Sequence, residues 1–159
     1  LPFIEPLEKL ITDIYTKNVP LIGICFGHQI IAKAFGGKVE KFKNGWCVGL
    51  TKYNLEGKSI YLNAWHQDQI VAPPENSKIL GSNSFCKYAF LSYGSNIFSV
   101  QAHPEFNNEF IRGLIQHRGK GLVPQTLLDK ASEKLQEKNS NHLIAEKIGE
   151  ILLTSRIST

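Results

Sequence analysis

The run Val19-Pro20-Leu21-Ile22-Gly23-Ile24-Cys25 constrains the fold most. It is short and nearly continuously apolar. Such a run reads as a strand buried on both faces, the situation of strands in parallel sheets covered by helices. Its flanks agree. Residues 5–17 place Leu7, Leu10, Ile11, Ile14 and Tyr15 on one face at helical spacing, and Asn18 and Pro20 end that pattern. Residues 28–35 read as a second helix, stopped by Gly36-Gly37. A strand enclosed by helices in this order predicts an α/β domain.

From about residue 38 to 102 the chain changes character. Val39–Phe42, Cys47–Tyr53, Ser59–Leu62, Lys78–Leu80, Ala89–Leu91 and Ile97–Gln101 are candidate strands. They are punctuated by Asn44-Gly45, Glu56-Gly57, Pro73-Pro74 and Tyr93-Gly94-Ser95-Asn96. This part reads as an antiparallel insert. Helical patterning then returns at Phe106–Leu114, Leu128–Leu135 and Ile144–Leu152. With 159 residues and 42% apolar content, we expect a single domain over 1–159, with 117–159 as a helical C-terminal part.

The net charge of +4 is spread along the chain, without the aromatic-interleaved basic stripe of a nucleic-acid surface. No apolar run approaches the roughly 20 residues that span a bilayer. The three cysteines, Cys25, Cys47 and Cys86, include no CxxC pair. That predicts neither a zinc site nor a disulfide framework, and it suits a reducing, cytoplasmic compartment. The sequence opens at Leu1 and contains no methionine, so we expect it to be part of a longer chain.

Two short motifs carry chemistry. Gly23-Ile24-Cys25-Phe26-Gly27 is a G-x-C-x-G, the thiol counterpart of the G-x-S-x-G nucleophile elbow. A nucleophile there sits on a sharp strand-to-helix turn. Small flanking residues let the turn close, and helix N-terminal amides lie beside the sulfur. The second motif, His103-Pro104-Glu105, follows the apolar run Ile97–Val100. A thiol nucleophile needs a base, and the base needs an orienter; a His with a carboxylate two residues later supplies both. Pro104 fixes its own φ and biases His103 to an extended backbone. Both motifs fall at strand ends, where sites gather in open α/β sheets. His66 and Asp68 read either as a loop near the substrate or acceptor or as a polar turn bonded to its own backbone, and the turn is the expectation. Trp46 and Trp65 read as packing residues, and Cys47 and Cys86 as structural thiols.

Gly23-Ile24-Cys25-Phe26-Gly27-His28-Gln29 and Gln101-Ala102-His103-Pro104-Glu105-Phe106 resemble the two signatures of the class I glutamine amidotransferases. His66-Gln67-Asp68-Gln69-Ile70, with Pro73-Pro74 and the Ala89-Phe90 strand, resembles their middle segment. The pattern is similar to the stand-alone amidotransferase domain of GMP synthetase and covers roughly residues 1–116. The resemblance implies a three-layer αβα sandwich of flavodoxin-like type, with a mostly parallel central sheet and further strands N-terminal to Leu1. It implies that Cys25 forms a γ-glutamyl thioester, that His103 moves the proton and that Glu105 orients His103. It implies that Phe26 provides an oxyanion amide and that Gln29 holds the glutamyl group, so that Phe26, Gly27 and Gln29 are the candidate substrate-binding residues. A second oxyanion donor would come from a glycine-rich strand end upstream of residue 1. No cofactor and no metal are implied.

Three functions follow from these expectations. One is a glutamine amidase handing ammonia to a synthetase partner; no P-loop or other nucleotide loop is present in the sequence. Another is a hydrolase of other γ-glutamyl compounds, such as glutathione conjugates. The last is a non-catalytic binding domain of the same fold.

Overall fold

The computed structural model describes residues 1–154. Helix α1 (Ile4–Thr16) leads into β1 (Leu21–Ile24), and α2 (Phe26–Ala34) follows directly. Strands β2 (Lys38–Lys41), β3 (Cys47–Leu55), β4 (Lys58–His66), β5 (Asp68–Ala72), β6 (Lys78–Ser82), β7 (Phe90–Tyr93) and β8 (Ile97–Val100) make up the middle. Helix α3 (Asn108–Leu114) runs into a π-helical turn (Ile115–Gly119), and α4 (Gln125–Glu133) and α5 (Asn141–Thr154) complete the elements.

Six strands form one sheet in the order β1-β8-β7-β6-β3-β4, and β2 and β5 pair separately. Among the described residues β1 and β8 are the one parallel pair; the other pairings are antiparallel. The sheet is therefore mixed rather than mostly parallel over this stretch. The reason is connectivity: a parallel pair needs a long crossover, and between β1 and β8 the chain runs through α2 and β2–β7, whereas short connections join the later strands. The longest of these pairings, β3 with β4, closes on Glu56 and Gly57 at φ 50° and 85°. Positive φ at both positions is the two-residue hairpin geometry that suits the strands' twist.

Side chains alternate across the sheet and build a core on each face. Ile22, Ile24, Phe98, Val100 and Phe90 face α5 through Ile144, Ile148 and Ile151. Leu21, Ile97, Leu91 and Tyr93 face α1 and α2 through Ile11, Ile30 and Ile31. The period of two is what the strand pleat dictates. The result is the helix–sheet–helix layering expected from the apolar run at 19–25. All four residues of β8 are buried.

Two differences from the sequence-based expectation affect the site. Helix α2 begins at Phe26 rather than His28, so the nucleophile candidate is itself the residue capping the helix. Strand β5 begins at Asp68, where the sequence predicts only a turn. Its polar opening, Asp68-Gln69, hides it from a hydrophobicity pattern; Gln69 is buried and its side-chain N–H donates to the Phe85 carbonyl at 3.1 Å.

Candidate active site

Strands β1 and β8 run parallel with Ile24 opposite Val100, so their carboxyl ends lie side by side. Cys25 leaves the end of β1, and its backbone N–H donates to the Val100 carbonyl at 2.9 Å. The chain then turns sharply: Cys25 takes φ 51° and ψ −102° as the residue before α2. A non-glycine residue there is strained by about 1–3 kcal/mol, and such residues persist where the surroundings over-determine them. Gly23 is one of those surroundings. A Cβ there would stand 2.5 Å from the Ile31 side chain and 2.8 Å from the Gly27 backbone. The first glycine of the motif thus lets β1 close onto α2. Gly27 has a different role, because a Cβ there would meet no atom within 4 Å.

His103 follows β8 by way of Gln101 and Ala102. Its backbone N–H donates to the Asn63 carbonyl at 2.8 Å, and its own carbonyl accepts from Phe106 N–H at 3.2 Å. That closes His103-Pro104-Glu105-Phe106 into a β-turn with proline at the second position, which its fixed φ favours. The turn brings Glu105 back to the ring: His103 Nδ1 and Glu105 Oε1 are 2.6 Å apart. Nδ1 is the donor in this bond, which leaves Nε2 for another partner.

Burial, the largest influence on His103, pulls its pKa down. Hydrogen bonds to Cys25 and to Glu105, with the electrostatic influence of both, outweigh it and leave the pKa up at about 9. At neutral pH His103 therefore carries the proton. The sulfur also accepts from buried Gln101 through Nε2 at 3.7 Å. Gln29 donates through Nε2 to Gln101 Oε1 at 3.2 Å and to the Asp68 carbonyl at 2.8 Å. A chain of contacts thus links α2, β5, the end of β8 and the thiol.

The helix side of the elbow is pinned by His28. It is fully buried, with Nε2 2.9 Å from the Tyr88 carbonyl and Nδ1 2.7 Å from Ser99 Oγ. The carbonyl can only accept, so Nε2 carries the proton and Nδ1 accepts from the hydroxyl. Burial drives its pKa down to about 3, and the ring stays neutral. Ser99 lies on β8, so His28 ties the helix after Cys25 to the strand before His103.

A cavity of about 500 Å³ opens at Cys25 and Gln29. Lys41, Trp46, Trp65, Leu122 and the corner His66-Gln67-Asp68 complete its wall. His66 donates through Nδ1 to the Asp68 carbonyl at 3.1 Å, as the turn reading of that segment expects. Its Nε2 is buried with no partner among the described residues, and burial pulls its pKa down to about 4, so it presents a bare acceptor.

The structure therefore brings Cys25, His103, Glu105 and Gln29 together, with Phe26 and Gly27 in the first turn of α2. The amides of that turn have no acceptor within the helix. Three features escape the sequence. Gln101 contacts the sulfur; its position two residues before His103, beyond a fully buried strand, was the available signal. Trp46 and Trp65 do pack edge to face, with centroids 6.4 Å apart, but they also line the cavity. Leu122 reaches the wall from the helical C-terminal part, and no periodicity marks it. Among the described residues, no group of three or more His, Cys, Asp and Glu is arranged to hold a metal ion, and no helix is long and apolar enough to cross a membrane.

Several known proteins are similar to this chain. The family model described as glutamine amidotransferase class-I matches residues 2–111. A glutamine-hydrolyzing GMP synthase chain of Sulfolobus acidocaldarius is 39% identical, over 75% of this chain and 65% of its own. Gamma-glutamyl peptidase 2 of Arabidopsis thaliana is 29% identical, over 79% of this chain and 55% of its own. The crystal structure of a glutamine amidotransferase from Methylobacillus flagellatus superposes with a TM-score of 0.79 at 20% identity, over 99% of this chain and 70% of its own. The chain spans between 52% and 66% of the length of the curated relatives it matches.

Proposed function

Because the chain belongs to the class I glutamine amidotransferase family, we propose that it cleaves γ-glutamyl amides through a thioester on Cys25, with His103 and Glu105 completing a catalytic triad. The observation that carries this reading is the meeting of a strained Cys25 elbow with the His103–Glu105 pair at the ends of two adjacent parallel strands.

Cys25 Sγ attacks the side-chain carbonyl carbon and His103 holds the thiol proton. The carbonyl oxygen becomes an oxyanion facing the amide of Phe26 in the first turn of α2. His103 then protonates the leaving amine as the C–N bond breaks, which leaves a γ-glutamyl thioester. Water attacks that ester, His103 takes its proton, and glutamate departs with the thiol restored. Glu105 holds Nδ1 and offsets the imidazolium charge throughout. Gln29 donates through Nε2 to the protein, so its Oε1 is left to accept from the glutamyl group.

In the first reading the substrate is glutamine and the amine is ammonia, consumed by a synthetase partner. The GMP synthase relatives support it. A second reading, hydrolysis of larger γ-glutamyl compounds, is favoured by the wall opposite the thiol. Trp46, Trp65 and Leu122 with Lys41 offer apolar area and one cation, which ammonia does not need. The three free thiols suit a reducing cytoplasm. The test is free glutamate released from glutamine, glutathione and γ-glutamyl dipeptides by wild type and Cys25→Ala. Slow turnover of glutamine alone supports the synthetase-coupled reading, and preferred turnover of glutathione supports the second. Absence of Cys25-dependent glutamate from every substrate contradicts both and leaves a binding domain.

A further inference from the structure

We propose that Phe106 is a positioning residue for the His103 imidazole: its ring lies flat on the imidazole, fixes the ring's rotation between Cys25 and Glu105, and favours the charged form. This rests on the proposed role of His103 as the proton carrier.

The two rings are 3.9 Å apart between centroids and 5° from parallel. Contact over the whole ring face blocks rotation about the last side-chain bond, which is otherwise soft in histidine. The turn that holds Glu105 to Nδ1 also delivers the Phe106 ring, since Phe106 N–H closes it onto the His103 carbonyl. Phe106 is itself clamped. Its carbonyl accepts from Asn63 Nδ2 and from Asn141 Nδ2, each at 3.0 Å. Asn63 on β4 also takes the His103 N–H, and Asn141 opens α5. On its other side the Phe106 ring leans on Phe110, with centroids 4.3 Å apart. Position 106 is thus the point where β4, the catalytic turn, α3 and α5 meet.

An aromatic face attracts a cation that lies over it within about 6 Å of the centroid. His103 in its charged form is that cation. The other titratable groups facing it are the Cys25 sulfur from the elbow, Glu105 from its own turn and His66 from β4. The first two favour the imidazolium, and His66 is neutral. Phe106 adds to the favourable side without adding a charge that would compete for Nδ1 or Nε2.

The experiment is an NMR titration of ring-labelled histidine in the protein, following His103 in wild type, Phe106→Leu and Phe106→Trp. Removing the aromatic face should lower the His103 pKa by roughly half a unit to one unit, and tryptophan should restore it. The same shift should appear in the alkaline limb of glutamate release, with kcat reduced and KM held. Replacing Phe106 by trifluorophenylalanine keeps the shape and weakens the π-face; it should lower the pKa even if Phe106→Leu unfolds. An unchanged His103 titration in the folded fluorinated protein overturns the proposal, whatever the activity. A shifted titration in a protein that releases no glutamate supports the stacking and overturns the proposed function instead.

Discussion

Cys25 offers a direct way to measure what the elbow costs. Its φ of 51° and ψ of −102° lie outside the regions open to side chains with a Cβ. Holding such a residue there costs about 1–3 kcal/mol. Alanine at position 25 keeps that strain, because it keeps the Cβ. Glycine relieves it, at the expense of about 0.5–1 kcal/mol of additional freedom in the unfolded chain. Cys25→Gly should therefore be more stable than Cys25→Ala by about 0.5–2 kcal/mol, the reverse of the usual order of these two residues. For a chain of this size that corresponds to a melting point roughly 1–8 °C higher. Urea unfolding of both variants, followed by far-UV circular dichroism and by tryptophan fluorescence, gives the difference with the sulfur absent from both. A glycine variant equal to or weaker than the alanine variant would refute the claim that the elbow is strained.

The two motif glycines should behave in opposite ways. Gly23→Ala drives a Cβ to 2.8 Å from the Gly27 backbone and should cost about 1–3 kcal/mol, with slower alkylation of Cys25 by iodoacetamide. Gly27→Ala meets open space in a helix and should raise the urea midpoint by up to about 1 kcal/mol in stability, while glutamate release falls because the substituted turn faces the oxyanion. His103 should stabilise the fold in a pH-dependent way. Its folded pKa, about 9, exceeds the unfolded value of 6.5; the contribution is therefore complete below about 6.5 and is lost as pH rises through 9. The stability gap between wild type and His103→Asn should narrow over that window in urea melts taken at successive pH values. Asn63→Ala removes the side-chain donor to the Phe106 carbonyl and should cost about 1–3 kcal/mol in the same melts.

The apolar run ending in Gly-x-Cys-x-Gly was legible because one strand end and one helix start determine it locally. The His103 turn was legible because Pro104 announces it. What escaped the sequence is held by contacts between distant positions. Trp65 pairs with Val48 across the hairpin, and that register brings it near Trp46. Asn63, Phe106 and Asn141 meet across separations of 43 and 35 residues. Gln69 and His28 are polar residues buried because a carbonyl waits for each of them, and no hydrophobic period records such a partner. The proportion of parallel strands depended on connection lengths, which the short turns of the middle region reveal only after the strands are placed.

If Cys25 is the nucleophile, it becomes acylated during turnover. The full-length protein should be mixed with glutamine or glutathione, quenched in acid within one turnover, and its peptides weighed. One γ-glutamyl group is expected on the peptide carrying Cys25, absent in Cys25→Ala. A glutamine-derived chloroketone should leave a permanent adduct at the same sulfur. An unmodified Cys25 under both treatments, in folded protein, would rule out Cys25 as the acyl-accepting nucleophile.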